Sequence, residues 1–140
     1  AVLVVSKMNL LTPLFALGNA SYLKAFTPEQ LQALSYLSMR MDSNGFGFGL
    51  IFFGCGCLVL GYLIRRAGYL PWILGALIQL AGACYLVNSF ALILAPALAA
   101  ALFPAIMLVP FVAETSLALW LLVKGVDVPR WNARVAEMRA

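Results

Sequence analysis

A chain of 140 residues that is 64% hydrophobic and only 10% charged, with a mean hydropathy of +0.99, carries more apolar surface than a soluble domain of its length can bury. A polytopic membrane protein needs only short polar connections, and the composition fits that class. Nine Lys and Arg against five Asp and Glu give a net charge of +4. These charges lie mainly between apolar runs, where they act as topology signals and headgroup contacts, so nucleic-acid binding is set aside.

The first apolar segment, Ala1 to Gly18, is the least regular, because it contains Ser6, Lys7, Asn9, Thr12 and Pro13. It starts with Ala, with no charged region ahead of it, and so does not read as a signal peptide. The expectation is a single membrane domain that is a fragment lacking upstream spans. The stretch Asn19 to Asn44 then reads as a long exterior loop. Asn19-Ala20-Ser21 matches a glycosylation sequon but abuts the membrane, and it is discounted. Within the loop, T-P-E-Q at Thr27 to Gln30 is a helix start: Thr27 as N-cap, Pro28 at the first helical position and Gln30 at the third. Leu31, Leu34, Leu37 and Met41 come next at helical spacing, which predicts a short amphipathic helix at the membrane surface.

Three further apolar segments complete the chain's hydrophobic runs: Gly45 to Ile64, Pro71 to Ala95, and Phe103 to Val123. Each is long enough to cross about 30 Å of hydrocarbon as a helix, and uninterrupted runs of this length do not build a β-barrel. The predicted fold is therefore all-α, a transmembrane bundle with four membrane segments in this chain. After Lys124 the tail R-W-N-A-R-V-A-E-M-R places Trp131, Val135 and Met138 on one side and Arg130, Arg134 and Glu137 away from it. That pattern predicts an interfacial helix in contact with anionic lipid.

Basic residues set the orientation. Arg65 and Arg66, with Lys124, Arg130, Arg134 and Arg139, fall on one face when spans alternate, against Lys24 and Arg40 on the other. The first face is assigned to the cytoplasm of an inner (plasma) membrane, with both chain termini there.

Chemistry is sparse. No His is present, which removes every mechanism with a His base, a His phosphate or a His metal ligand. Zincin, Ser-His-Asp and P-loop patterns are absent. Cys55 and Cys57 would point about 200° apart on a helix, so with Cys84 they read as packing residues rather than a metal or redox pair. No cofactor, no metal and no catalytic residue is expected. Span two carries Gly47, Gly54 and Gly61 at a seven-residue repeat, with Gly45, Gly49 and Gly56 nearby, a stripe that lets a neighbouring helix approach closely. Four polar residues, Lys7, Asn9, Asn88 and Glu114, form a candidate intramembrane polar site. Lys7 and Glu114 would lie at similar depth, and a pair between them, or a protonated Glu114, would relieve a cost of roughly 2.5–3.5 kcal/mol per intramembrane charge. Pro110 leaves the Ile106 carbonyl without its helix donor one turn before Glu114. A buried polar pair that only fixes helix register is the plain alternative.

The strings A-F-T-P-E-Q-L-Q-A-L (25–34), G-L-I-F-F-G (49–54), L-G-Y-L-I (60–64), A-G-Y-L-P (67–71) and L-A-L-W-L-L-V-K-G-V (117–126) together resemble a bacterial membrane family, the domain of unknown function 4386. The resemblance covers nearly the whole chain and implies the C-terminal two-thirds of a six- or seven-span protein. It implies fold and location but no activity. Two departures stand out. Members often have a His in the F-F-G run, where this chain has Gly56, and often G-E before the last apolar string, where this chain has Ala113-Glu114-Thr115. The acid is kept and the His is not. The expected function is a small transporter or permease-like bundle, with a non-catalytic membrane subunit or sensor as the alternative.

Overall fold

The computed structural model of the chain describes residues 2–18 and 20–139, and the side chains of Val2, Met138 and Arg139 fall outside the description. Asn19 of the sequon and Met138 of the tail's apolar side are therefore outside the described residues. The described chain is helical, with no strand: α1 (Val2–Met8), α2 (Leu11–Ala16), a 3-10 helix (Ser21–Ala25), α3 (Pro28–Ala67), α4 (Trp72–Leu94), α5 (Pro96–Leu102), α6 (Ala105–Val123) and α7 (Val128–Arg139). It forms two compact units, Ala1–Gly49 and Leu50–Ala140.

In the first unit, the apolar start is not one helix. The amides of Asn9 and Leu10 turn back to the carbonyls of Ser6 and Lys7 at 3.0 and 3.1 Å, which closes α1 before α2 begins. Helices of 7 and 6 residues rise only about 10 Å each, far short of a bilayer. The helix start at Thr27 has the reciprocal cap that its sequence encodes. Thr27 donates its amide to Gln30 Oε1 at 2.9 Å, and Gln30 donates its amide to Thr27 Oγ1 at 3.3 Å.

Beyond that cap the chain departs from the expectation. The short surface helix and the second apolar segment are one helix, the 40-residue α3, about 60 Å long. The reason lies in the residues between them: from Gln30 to Asn44 there is no Gly or Pro to stop a helix. Ser35 and Ser43 turn their hydroxyls back onto the Leu31 and Met39 carbonyls, so neither competes for the backbone ahead of it. Among the described residues three helices, α3, α4 and α6, are long and apolar enough to cross a membrane.

The second unit contains the other part of α3 with α4 to α7. Glycines set its closest approach. A Cβ on Gly54 would stand 3.0 Å from the Gly82 carbonyl oxygen, and one on Gly61 would collide with the Gly75 carbonyl. Conversely, a Cβ on Gly82 would lie 2.7 Å from the Gly54 carbonyl oxygen. Seven residues separate the glycines on each helix, so the pairs 54–82 and 61–75 run antiparallel, two turns apart. Beside this seam Cys57, Ile78, Ala81 and Ala113 are buried, with Leu77, Tyr85 and Leu117 packed against them. Small residues dominate because α4 and α6 also pack closely. The outside is apolar instead: Leu122 is 83% exposed, Val123 80% and Leu94 78%. Such a surface suits lipid and not water.

Both α3 and α6 end in a left-handed glycine, Gly68 with φ 78° and Gly125 with φ 66°, where only Gly turns without strain. The tail helix α7 closes onto the first of these ends. Arg130 Nη1 donates to the Gly68 carbonyl at 3.3 Å, and Arg134 Nη2 to the Arg66 carbonyl at 3.2 Å. The Arg66 carbonyl is one that the end of α3 leaves without a helical donor and the Gly68 carbonyl lies just past it, and cations belong at that negative pole.

Candidate functional site

Of the four candidate polar residues, Lys7 and Asn9 belong to the first unit and Asn88 and Glu114 to the second. In the first unit, Lys7 Nζ lies 3.0 and 2.9 Å from the two Asp42 carboxylate oxygens. Ser6 Oγ stands 2.9 Å from Asp42 Oδ1 and 2.8 Å from the Asp42 carbonyl oxygen. The lysine also lies 5.1 Å from the centroid of the Phe46 ring. Close approach here depends on Gly45 and Gly49: a Cβ on Gly45 would meet Ser6 at 2.9 Å, and one on Gly49 would collide with Leu3. Asn9 donates its side-chain amide to the Ser6 carbonyl at 3.1 Å, which caps the end of α1. Gly47 is buried.

In the second unit, Tyr85 on α4 donates its hydroxyl to Glu114 Oε1 on α6 at 2.7 Å. The Tyr85 ring is itself held edge-on by Phe53, with centroids 5.4 Å apart. Asn88 is half-buried one turn further along α4. Lys7 and Glu114 each have a partner within their own unit, Asp42 for the lysine and Tyr85 for the acid.

Glu114 opens onto a groove of about 460 Å³. Phe52, Phe53, Gly56 and Leu60 of α3 form one wall, Leu117 and Leu121 of α6 the other, and Ile78 of α4 the floor. Gly56 contributes no side chain, and a Cβ there would meet nothing within 4 Å. The result is one carboxylate in the side of an open apolar trough. It offers a hydrogen-bond acceptor at the edge of that trough, with the Tyr85 hydroxyl bonded to it and the Cys57 thiol in the same lining. Among the described residues no cluster of His, Cys, Asp or Glu could hold a metal.

Gln79, deeper on α4, is occupied at the seam. It accepts from Arg65 Nη1 at 2.9 Å and donates to the Leu58 carbonyl at 3.4 Å. Ser89 is fully buried, and its hydroxyl has no hydrogen-bond partner among the described residues.

Two partners escape sequence reasoning. Asp42 precedes the second apolar segment by three residues and by composition belongs to the exterior loop, although an acid at the edge of an apolar run is a ready partner for Lys7. Tyr85 reads as one more apolar residue of its segment. The signal that marks it is its place mid-segment, since membrane tyrosines concentrate at interfaces.

A family model described as Domain of unknown function (DUF4386) matches residues 1–125. The chain belongs to this family. The DUF4386 match takes in both arrangements described above and ends at Gly125, ahead of α7. An uncharacterized protein of Archaeoglobus fulgidus is 34% identical over 77 residues, 55% of this chain. The match covers 44% of that relative, so the chain spans less than half of the relative's length. No solved structure matches this DUF4386 chain.

Proposed function

We propose that this chain belongs to a small transporter or permease-like bundle of the plasma (inner) membrane, and that Glu114 is the polar residue of its ligand route. The observation that supports this reading is the Glu114 carboxylate in the wall of an apolar groove of about 460 Å³, with Tyr85 bonded to one of its oxygens. An acid retained only for helix register would have its acceptor capacity met by protein groups on every side. Here the groove it opens onto is lined by Phe52, Phe53, Leu60 and Leu117, leaving room for an amphiphile with an apolar body and one hydrogen-bond donor or cationic group. Asn88, one turn from Tyr85, is the second polar residue we assign to the route. Lys7 and Asn9 are left outside it, because Asp42 and the end of α1 occupy them.

Native mass spectrometry of the purified protein, compared with Glu114→Gln and Gly56→Leu, tests the reading. The first variant removes the charge and the second fills the groove from a position that is now open. A co-purifying amphiphile should be present on the parent and lost from both variants. Identical bound species on all three would overturn the proposal. If the amphiphile is lost but parent proteoliposomes do not move it, the non-catalytic subunit or sensor is the better reading.

A further inference from the structure

We infer that the basic end of the second unit is a binding site for the phosphodiester headgroup of an anionic membrane lipid. A cleft of about 340 Å³ lies where the turn after α3 meets the junction of α6 and α7. Its lining includes Gly68, Tyr69, Trp120 and Lys124, with Asp127 and Arg130 as a charged pair. Arg130 is partly committed, since its Nε lies 3.2 Å from Asp127 Oδ2 and its Nη1 donates to Gly68. Lys124 is not. Among the described residues it forms no ion pair, and its ammonium stands 5.1 Å from the centroid of the Trp120 ring. A cation held over an aromatic face with its donors unused is prepared for an anion.

The cleft is built and not merely charged. Asp127 donates its amide to the Tyr69 carbonyl at 3.2 Å, and Trp131 packs edge-on against the Tyr69 ring at 4.9 Å. These contacts fix α7 against the α3–α4 turn, so Arg130 and Lys124 face the same space. Directly before Lys124 come Leu122 and Val123, the apolar side chains exposed at 83% and 80%. A free phosphate would use only the cations. A lipid uses both surfaces, with its headgroup in the cleft and its acyl chains along the last turn of α6. Trp120, Tyr69 and Trp131 are the residue types that sit at headgroup depth.

The test is binding of short-chain phosphatidylglycerol to the purified protein in detergent, read by native mass spectrometry. Short-chain phosphatidylcholine, inorganic phosphate and two variants are compared with it. Phosphatidylglycerol should bind about tenfold more tightly than phosphatidylcholine, and inorganic phosphate should not displace it. Lys124→Gln should weaken phosphatidylglycerol about fivefold, the worth of one basic residue near a charged membrane surface. Lys24→Gln, which removes an equal charge from the 3-10 helix of the first unit, should leave the affinity unchanged. Lys124 touches no backbone group through its side chain, so its variant should keep the parent melting temperature. Equal losses in the two variants would mean bulk charge and overturn the site. Equal binding of the two lipids would do the same, and displacement by inorganic phosphate would show an anion site without lipid recognition.

Discussion

Tyr85 Oη stands 2.7 Å from Glu114 Oε1, and this bond joins α4 to α6, two largely apolar helices. Ala81 and Ala113, each 0% exposed, let the two backbones come close enough for it. The hydroxyl reaches the acid because Phe53 holds the Tyr85 ring from the α3 side. Packing therefore positions the polar contact, and the polar contact fixes the rotation of α6.

Removing either partner should show this coupling. Tyr85→Phe leaves Glu114 without its donor, a loss of about 1–3 kcal/mol for an unsatisfied group away from water. Glu114→Met removes the acceptor and strands the hydroxyl at similar cost. The double variant strands neither, so it should be milder than the sum by about 1 kcal/mol or more. Thermal or denaturant melts of the four proteins in detergent measure the cycle. Strict additivity would show that the bond carries no energy.

The glycine seam gives an expectation in which the sign of the effect differs between positions. Gly61→Ala would drive its Cβ into the Gly75 carbonyl and to 2.5 Å from Gln79 Cγ. A backbone carbonyl yields little, and the helices must separate, at about 1–3 kcal/mol. Gly56→Ala meets open space, so only helix propensity acts and stability should rise by about 0.5–1 kcal/mol. Melting temperatures should fall for the first and rise slightly for the second. A fall of equal size in both would mean that the close approach at Gly61 is not what holds the seam.

The Lys7–Asp42 pair should be lopsided. The Asp42 side chain is 11% exposed and the Lys7 side chain 51%. Lys7→Met removes a half-exposed cation, worth about 0.2–1 kcal/mol at such a site. Asp42→Ala removes the acceptor of both Lys7 and Ser6 and leaves the Ser6 hydroxyl, in a residue 4% exposed, with only the Asp42 carbonyl. Its cost should exceed that of Lys7→Met by about 1 kcal/mol. Proteolysis within residues 2–18 is a local readout, and Asp42→Ala should be cut faster than Lys7→Met. The reverse order would assign the stabilisation to the lysine's contact with Phe46.

The elements with a local cause are legible in the sequence. The Thr27–Gln30 cap needs only residues three apart, and helical content comes from uninterrupted apolar runs. The extent of α3 is not legible, because the polar composition of residues 30–44 resembles a loop although nothing in it breaks a helix. Matching of depth brings Lys7 and Glu114 together, yet depth says nothing of which helix faces which. Asp42 and Tyr85 are 35 and 29 residues from their partners, and such contacts are set by packing rather than by pattern. The grouping of Arg65 and Arg66 with Lys124 and α7 can be foreseen, because alternation of spans alone requires it.

That grouping leads to a prediction of sidedness. Arg134 bonds the Arg66 carbonyl and Arg130 the Gly68 carbonyl, so α7 and the α3–α4 turn share one end of the second unit. α5 lies at the other end of α4, whose 23 residues rise about 35 Å, enough to cross the hydrocarbon. Basic residues crowd the α7 end, and α5 has none. The positive-inside rule therefore predicts α7 in the cytoplasm and α5 outside. The native cysteines must first be replaced, because Cys55 is exposed. In that background, single cysteines at the exposed positions Asn132 and Ala100 report the two ends. A membrane-impermeant maleimide added to spheroplasts should label Ala100→Cys at once and Asn132→Cys only after permeabilisation. The opposite pattern would invert the orientation. Labelling of both from outside would mean that α6 does not cross the membrane, since it is the one long apolar helix between the two positions along the chain.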